Sequence, residues 1–453
     1  MVRKMAKNEV KTKYLIIGNS AGGVGAAEAI RQVDKVGDIA MVSDEPYPVY
    51  SRPMISEYLA KKASLERMLY RPSGFYEKNR IATFLGKKVV KVDVDAHTID
   101  LESGENIYWE RLLLATGGTP IVSQVEGIEK QGIFTFTTLN DAKAIDSFLN
   151  GHKLPGIKAV VIGGGLIGFS VTEALIKRGV AVTIVEMKDR VLNTIVDEET
   201  SALAEEALRA AGVEILTNHT VTRVTSYVDG VTTGVTLDDQ RAIPCEMVIM
   251  AIGVRPRLDL VTGTGIKTNR GIVVDRHMTT SHSDVYACGD VAEAYDYVYA
   301  SNRLSPIWPN AYIGGRVAGF NMAGVPTEYA GGTAMNSLKY FGLAIASAGI
   351  AVPPDGTYEV VSSQTDRINK KVVLKDGIIK GMVFCGDVDK SGVVYGLMRD
   401  QLDVRHFKDT LVAADFSLAS LPEALWRERL GIPPAGFTRE EVKEQAQEEA
   451  GGD

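Results

Sequence analysis

AVVIGGGLIG, residues 159–168, decides the fold. An apolar strand runs into Gly163, Gly165 and Gly168, a full GxGxxG, and the helical pattern SVTEALIKRG follows. The next strand, VTIVE, ends in the acid Glu186. This is the βαβ layout of a dinucleotide site, in which glycines let the backbone approach a pyrophosphate at a helix N-terminus and an acid binds a ribose. The same pattern stands upstream. YLII (residues 14–17) enters GNSAGGVG (residues 18–25), a helical AAEAIRQV comes next, and a second strand, IAMV, ends at Ser43 and Asp44. Gly18 and Gly23 hold the first and third glycine positions, with Ser20 at the second. Each copy also closes alike: a hairpin region and an apolar strand lead to Ala115-Thr116-Gly117 in one and to Ala251-Ile252-Gly253 in the other. A duplication of this size implies two dinucleotide-binding units.

Composition agrees with a soluble enzyme of two or three domains. The chain has 453 residues, 45% of them hydrophobic and 24% charged, which excludes disorder, collagen and coiled coil. Its 45 glycines against 16 prolines suit close backbone turns around cofactors better than linkers. A net charge of −7 gives no footprint for nucleic acid, and it leaves room for a local basic patch facing a small acidic electron carrier. Cys245, Cys288 and Cys385 are far apart and form no CxxC, so neither a disulfide framework nor a cysteine-ligated cluster is expected, and a reducing compartment fits. Only His277 and His282 lie close together among the histidines, and no metal site is expected. No apolar run approaches the roughly 20 residues that span a bilayer, and the charged N-terminus has no apolar core behind it. The expectation is a cytoplasmic protein without membrane insertion.

From about Lys13 to Ala414 the chain resembles the two-dinucleotide-binding flavoproteins of the pyridine nucleotide-disulfide oxidoreductase superfamily. Beyond the glycine motifs, the resemblance rests on Ala115-Thr116-Gly117-Gly118, on AIGVRP (residues 251–256), and on TTSHSDVYACGD (residues 279–290), which looks like a second flavin fingerprint. It implies an α/β fold of two Rossmann-like dinucleotide-binding domains plus an α+β C-terminal interface domain. The FAD-binding domain would be discontinuous, residues 1–122 and 251–325, around an NAD(H)-binding domain at 123–250. The interface domain would take 326–414, leaving a C-terminal extension at 415–453. FAD would touch Gly18, Ser20, Ala21, Gly22, Gly23, Asp44, Arg52, Thr116, Gly117, Asp290, Asn310 and Ala311. Asn310 and Ala311 belong to the first turn of a helix whose positive end would stabilise negative charge on reduced flavin. NADH would touch Gly163, Gly165, Leu166, Ile167, Gly168, Glu186 and Gly253. Glu186 favours NADH over NADPH, because a carboxylate accepts from a 2′-hydroxyl and repels a 2′-phosphate.

The disulfide reductases of that superfamily carry CxxxxC after the first βαβ unit, and its NADH oxidase and coenzyme A disulfide reductase branch carries one reactive cysteine there. Here the region reads DEPYPVYSRPMISEYLAKK (residues 44–62), and no cysteine precedes Pro244. Thiol relay has no carrier on that side, and all three cysteines are expected to be inert core. The segment PVYSRPMIS instead resembles rubredoxin reductases, ferredoxin reductases of oxygenase systems and the flavin part of NADH-dependent nitrite reductase. The implied activity is FAD-dependent NADH:acceptor oxidoreduction, toward rubredoxin, ferredoxin or an iron-sulfur subunit of a larger redox complex, in a homodimer or a hetero-oligomer. An NADH oxidase or disulfide reductase is the enzyme alternative, and a docking subunit of a redox complex the alternative of another class. Hydride transfer obliges no protein acid, base or nucleophile; Glu57, Ser170 and Arg52 are the flavin-proximal candidates. Relatives have lysine where this chain has Glu57 and glutamate where it has Ser170. Either Glu57 turns to solvent, or Lys61 or Lys62 takes over, or a carboxylate in place of the lysine lowers the flavin potential. Toward the C-terminus, Asp376-Gly377 marks a hairpin. Thr438 and Glu441 suggest a helix start. Leu421, Leu425 and Trp426 belong either to a solvated tail or to partner-docking anchors.

Overall fold

A computed structural model describes residues 9–151, 156–228 and 230–429. The proposed helix start at Thr438 and Glu441 lies outside the described residues. The chain forms two compact units. The larger runs to Thr194 and takes in Ser201–Met335 and Tyr340–Gly342; the smaller holds Ile195–Thr200, Asn336–Lys339 and the chain from Leu343 on.

Two parallel sheets of the same design organise the larger unit. In the first, β1 (Glu9–Ile17) lies between β2 (Ile39–Ser43) and β6 (Asn106–Leu114), with β3 (Ile81–Leu85) outside β2. β4 (Val89–Asp93) and β5 (Thr98–Leu101) form an antiparallel meander leading into β6. In the second sheet, β7 (Lys158–Ile162) lies between β8 (Ala181–Glu186) and β9 (Met247–Met250), with Glu214–Thr217 outside β8. Its own meander, Val221–Ser226, Thr232–Leu237 and Ala242–Pro244, leads into β9. The central strands are continuous apolar runs because both of their faces are covered: Leu15 and Ile16 of β1, and Val160 and Val161 of β7, are wholly buried. The two sheets differ in the source of the fifth parallel strand. Beside β9 it is Ile133–Thr135, from just before the second copy, whereas beside β6 it is β10 (Val285–Ala287), from beyond the end of the second copy.

Each β1-like strand feeds a helix. α1 (Ala21–Val33) follows the first glycine turn and α2 (Leu166–Lys177) the second. α1 packs against α3 (Trp308–Met322) across a line of glycines. A Cβ on Gly315 would lie 2.0 Å from the Gly22 carbonyl oxygen, one on Gly319 2.4 Å from that of Ala26, and one on Gly25 2.4 Å from that of Tyr312. Only glycine admits so close an approach. β1 starts at Glu9, ahead of the apolar run expected from Tyr14, because residues 9–12 pair with Asn106–Trp109 of β6 and bury Thr12.

The smaller unit is a five-stranded sheet in the order Met335–Tyr340, Leu343–Gly349, Ile378–Cys385, Asn369–Lys375, Glu359–Gln364, the last four antiparallel. Asp376 and Gly377 have φ of +53° and +82° and form the expected two-residue hairpin turn. Within this unit the start of the extension folds back: Phe416 and Leu421 are buried, and Leu425 and Trp426 are half-buried. This corrects the docking-anchor expectation at Leu421, whose side chain is already spent on the chain's own core. No helix among the described residues is long and apolar enough to cross a membrane.

Candidate functional site

The two glycine turns superimpose in their hydrogen bonding. Gly18 N–H donates to Val42 O at 2.9 Å and Gly163 N–H to Val185 O at 2.8 Å; Ala115 N–H donates to Ile17 O and Ala251 N–H to Ile162 O, both at 2.8 Å. A Cβ on Gly18 would lie 2.1 Å from Ala115 O, and one on Gly163 2.5 Å from Ala251 O. A Cβ on Gly23 would meet Gly18 O at 2.0 Å, and one on Gly168 would meet Gly163 O at 2.0 Å. In both copies the first glycine lets the turn pass under the Ala-x-Gly segment and the last lets the helix start press onto the strand end. The second position is different. Ser20 and Gly165 are the N-caps of α1 and α2, neither capping through a side chain, and a Cβ on Gly165 would enter open space. The same holds at Gly117, with φ of +68°. These are cradles left for a ligand at two helix N-termini, and each suits a dinucleotide pyrophosphate.

Around the first turn the structure gathers Asp44, Arg52, Thr116, Gly117, Asp290, Asn310 and Ala311. Asp290 follows Gly289, whose φ is +74°, at the end of the strand that completes the first sheet. Burial raises the pKa of its carboxyl, and the charge of Arg52 opposes the rise. A carboxyl so placed fits a ligand hydroxyl as its partner. The Arg52 guanidinium is held by the Glu45 carboxylate and by Thr137 O at 3.2 Å. Glu45 in turn accepts from Tyr50 Oη at 2.8 Å, and Tyr50 Oη accepts from Leu139 N–H at 2.9 Å. Asn310 and Ala311 do lie in the first turn of α3, where the Asn310 amide donates to Thr333 O at 3.1 Å. The Asp44 carboxylate pairs with Arg257 at 2.8 Å, a residue the sequence reading did not single out.

Around the second turn, Leu166 and Ile167 form the first turn of α2, and Gly253 has φ of +117°. The Glu186 carboxylate is buried and accepts two backbone N–H groups, from Gly164 at 2.6 Å and from Lys188 at 2.8 Å. It is therefore a brace of the glycine turn as well as a candidate ribose acceptor. Met187 beside it is 65% exposed, open to whatever the adenosine end carries.

The helices that carry Glu57 and Ser170 pack together, and the charge of one and the hydroxyl of the other both act on Tyr340. Glu57 lies exposed on the short helix Ile55–Leu59. Ser170 is hydrogen-bonded to Tyr340, a residue that no sequence motif singles out. Lys61 pairs with Asp146 instead of replacing a lysine at position 57. Cys245, Cys288 and Cys385 are free and fully buried, and burial pushes each thiol up to about 12. Their reading as inert core stands. His277 Nδ1 is 3.0 Å from Thr327 O, whereas His282 stands edge-on to the His97 ring.

Two duplicated sheets with paired pyrophosphate cradles define a two-dinucleotide oxidoreductase. A sequence profile described as pyridine nucleotide-disulphide oxidoreductase matches residues 12–315, and one described as the rubredoxin NAD+ reductase C-terminal domain matches residues 335–402. The chain belongs to the pyridine nucleotide-disulphide oxidoreductase family and is an FAD-dependent NAD(P)H oxidoreductase. It is similar to subunit epsilon of NADH-dependent phenylglyoxylate dehydrogenase from Aromatoleum evansii, at 31% identity over 422 residues, 92% of this chain and 98% of that one. It is also similar to NADH-rubredoxin oxidoreductase of Clostridium acetobutylicum, at 30% identity over 377 residues, 83% of this chain and 92% of that one. Among solved structures, the covalent putidaredoxin reductase–putidaredoxin complex aligns with a TM-score of 0.82 at 25% identity, covering 93% of this chain and 99% of that one.

Proposed function

We propose that this chain takes a hydride from NADH onto FAD and passes single electrons to an iron-sulfur partner, either a free rubredoxin or ferredoxin or an iron-sulfur subunit of a larger redox complex. The observation that carries the reading is the state of the cysteines. All three are buried with thiols near 12, so no thiolate is available at pH 7 to accept electrons from a flavin. Flavin itself supplies the conversion between two-electron and one-electron chemistry. The relative named for rubredoxin reduction supports the acceptor class, and the one named as a dehydrogenase subunit supports membership of a hetero-oligomer, with a homodimer as the alternative.

In this reading FAD occupies the first turn and NADH the second, with the flavin domain made of residues 1–122 and 251–325 around an inserted 123–250. Ser20, Ala21, Gly22 and Gly23 present backbone N–H groups to the FAD pyrophosphate in the turn that Gly18 opens, Asp44 accepts from its ribose, and Asp290 from its ribityl chain. Arg52, Thr116 and Gly117 line the same cleft, and the N-terminus of α3 at Asn310 and Ala311 favours negative charge on the reduced ring. Gly163, Gly165, Leu166, Ile167 and Gly168 cradle NADH, with Glu186 toward its ribose. Anaerobic titration tests the single-centre reading: one equivalent of NADH should fully reduce one flavin. A need for two equivalents, or rapid oxygen uptake without an added acceptor, would favour the oxidase or disulfide-reductase alternative.

A further inference from the structure

The order β2-β1-β6 puts the end of β1, where Gly18 opens the first turn, between Asp44 past the end of β2 and Thr116-Gly117 past the end of β6. Arg257 joins these two flanks. Its backbone is fastened on the β6 side: its N–H donates to Gly117 O at 3.0 Å, and its carbonyl accepts from Thr116 Oγ1 at 3.4 Å. Its side chain reaches the β2 side, with Nη1 donating to Asp44 Oδ2 at 2.8 Å. Neighbouring strands lie about 4.8 Å apart, so the arm crosses on the order of 10 Å over the mouth of the turn.

An ion pair whose side chains are 32% and 45% exposed adds little to stability. Its position is better explained by what passes beneath it. The first turn of α1 carries no acidic residue, and its glycines supply N–H groups without a charge. A diphosphate seated there carries negative charge that a planar guanidinium meets with paired donors. Asp44, meanwhile, is the acid that a ribose would engage, so the ligand and Arg257 compete for the same carboxylate.

Resting on the flavin assignment above, we propose that Arg257 is a further FAD-binding residue. It is a clasp over the adenosine half of the cofactor that exchanges Asp44 for the diphosphate as Asp44 accepts the ribose hydroxyls. The competition has a thermodynamic signature: the ion pair opposes FAD entry slightly, and the guanidinium–diphosphate contact retains FAD once it is in.

The test uses the full chain stripped of flavin and titrated with FAD, following quenching of flavin fluorescence. Arg257→Gln should raise the FAD Kd at least tenfold and flatten its dependence on salt, and Arg257→Lys should fall between the two. The decisive comparison repeats Arg257→Gln in an Asp44→Asn background. A cost that persists there supports contact with the cofactor. A cost that vanishes means that Arg257 only neutralises Asp44, and the clasp is overturned, as it is by an unchanged Kd in the single variant. Asp290→Asn keeps this test separate from the assignment beneath it. If that variant binds FAD like the parent, the flavin assignment itself fails; if it loses FAD while Arg257→Gln does not, only the clasp fails.

Discussion

Gly23→Ala and Gly168→Ala are the same perturbation applied to two sites that should hold different nucleotides. In each turn the added Cβ would lie 2.0 Å from a carbonyl oxygen, that of Gly18 or that of Gly163, and real Cβ atoms essentially never come within 3.0 Å of such an atom. The obstacle is backbone on both sides, so α1 or α2 must retreat from its strand end by about 1 Å or more. Forcing a group into a packed site of this kind costs about 1 to 3 kcal/mol. Because the helix N-terminus holds the pyrophosphate, most of the displacement falls on ligand binding, where 2 kcal/mol is about a 30-fold loss. Gly23→Ala should therefore purify largely free of flavin, and added FAD should rebind with a Kd raised about 30-fold. Gly168→Ala should stay yellow, with normal flavin content after denaturation. Its flavin reduction, followed by anaerobic stopped-flow against NADH concentration, should need about 30-fold more NADH to reach half the maximal rate. If Gly168→Ala loses its flavin, or Gly23→Ala keeps it and loses the response to NADH, the assignment of the two sites is reversed or wrong.

Replacing Cys245, Cys288 and Cys385 together by serine should leave NADH-to-dye electron transfer within a few-fold of the parent, at a stability loss of roughly 1 to 3 kcal/mol per unpartnered hydroxyl. A folded, flavin-loaded triple variant without activity would contradict the thiol-free route. Glu57→Lys should raise the flavin midpoint potential by less than about 20 mV, the equivalent of roughly 1 kcal/mol, because position 57 is exposed and water screens its charge; spectroelectrochemistry giving about 70 mV would place Glu57 beside the flavin. Asp290 has a raised pKa from burial, so in the flavin-free protein its contribution is fully present below the unfolded value and is lost as pH climbs through the folded one. Asp290→Asn should thus raise the Tm of the flavin-free protein at pH 7 while weakening FAD, and a lower Tm would mean that the carboxylate is already partnered.

The glycine turns were legible because their spacing follows directly from a local steric demand. Gly18, Gly23, Gly163 and Gly168 each face a backbone oxygen fixed by the adjoining strand, so a short stretch of sequence carries the whole constraint. Asp290 could be found only through a family motif, since its partners come from segments far away in the chain. Arg257 and Tyr340 carried no signal at all. An arginine after a short strand reads as solvated surface until the sheet order sets Asp44 across from it. The Gly315 and Gly319 contact with α1 was equally hidden, because glycine in a helix looks like a weakness until the second helix is seen. Leu421 misled for the opposite reason: apolar residues in a tail signal burial without saying against what.

The late arrival of β10 has a consequence for how the protein is made. On the ribosome, the strand ending at Ala287 and the carboxyl of Asp290 emerge long after Gly18, with the second copy synthesised in between. At a translation rate of about 5 to 20 residues per second, the first sheet waits on the order of tens of seconds with its edge open beside β6. The second sheet has all of its strands once Met250 has been made, so it can close before the first. The proposed flavin site, which draws on Asp290 and the start of α3, would then be completed only after the second sheet has closed.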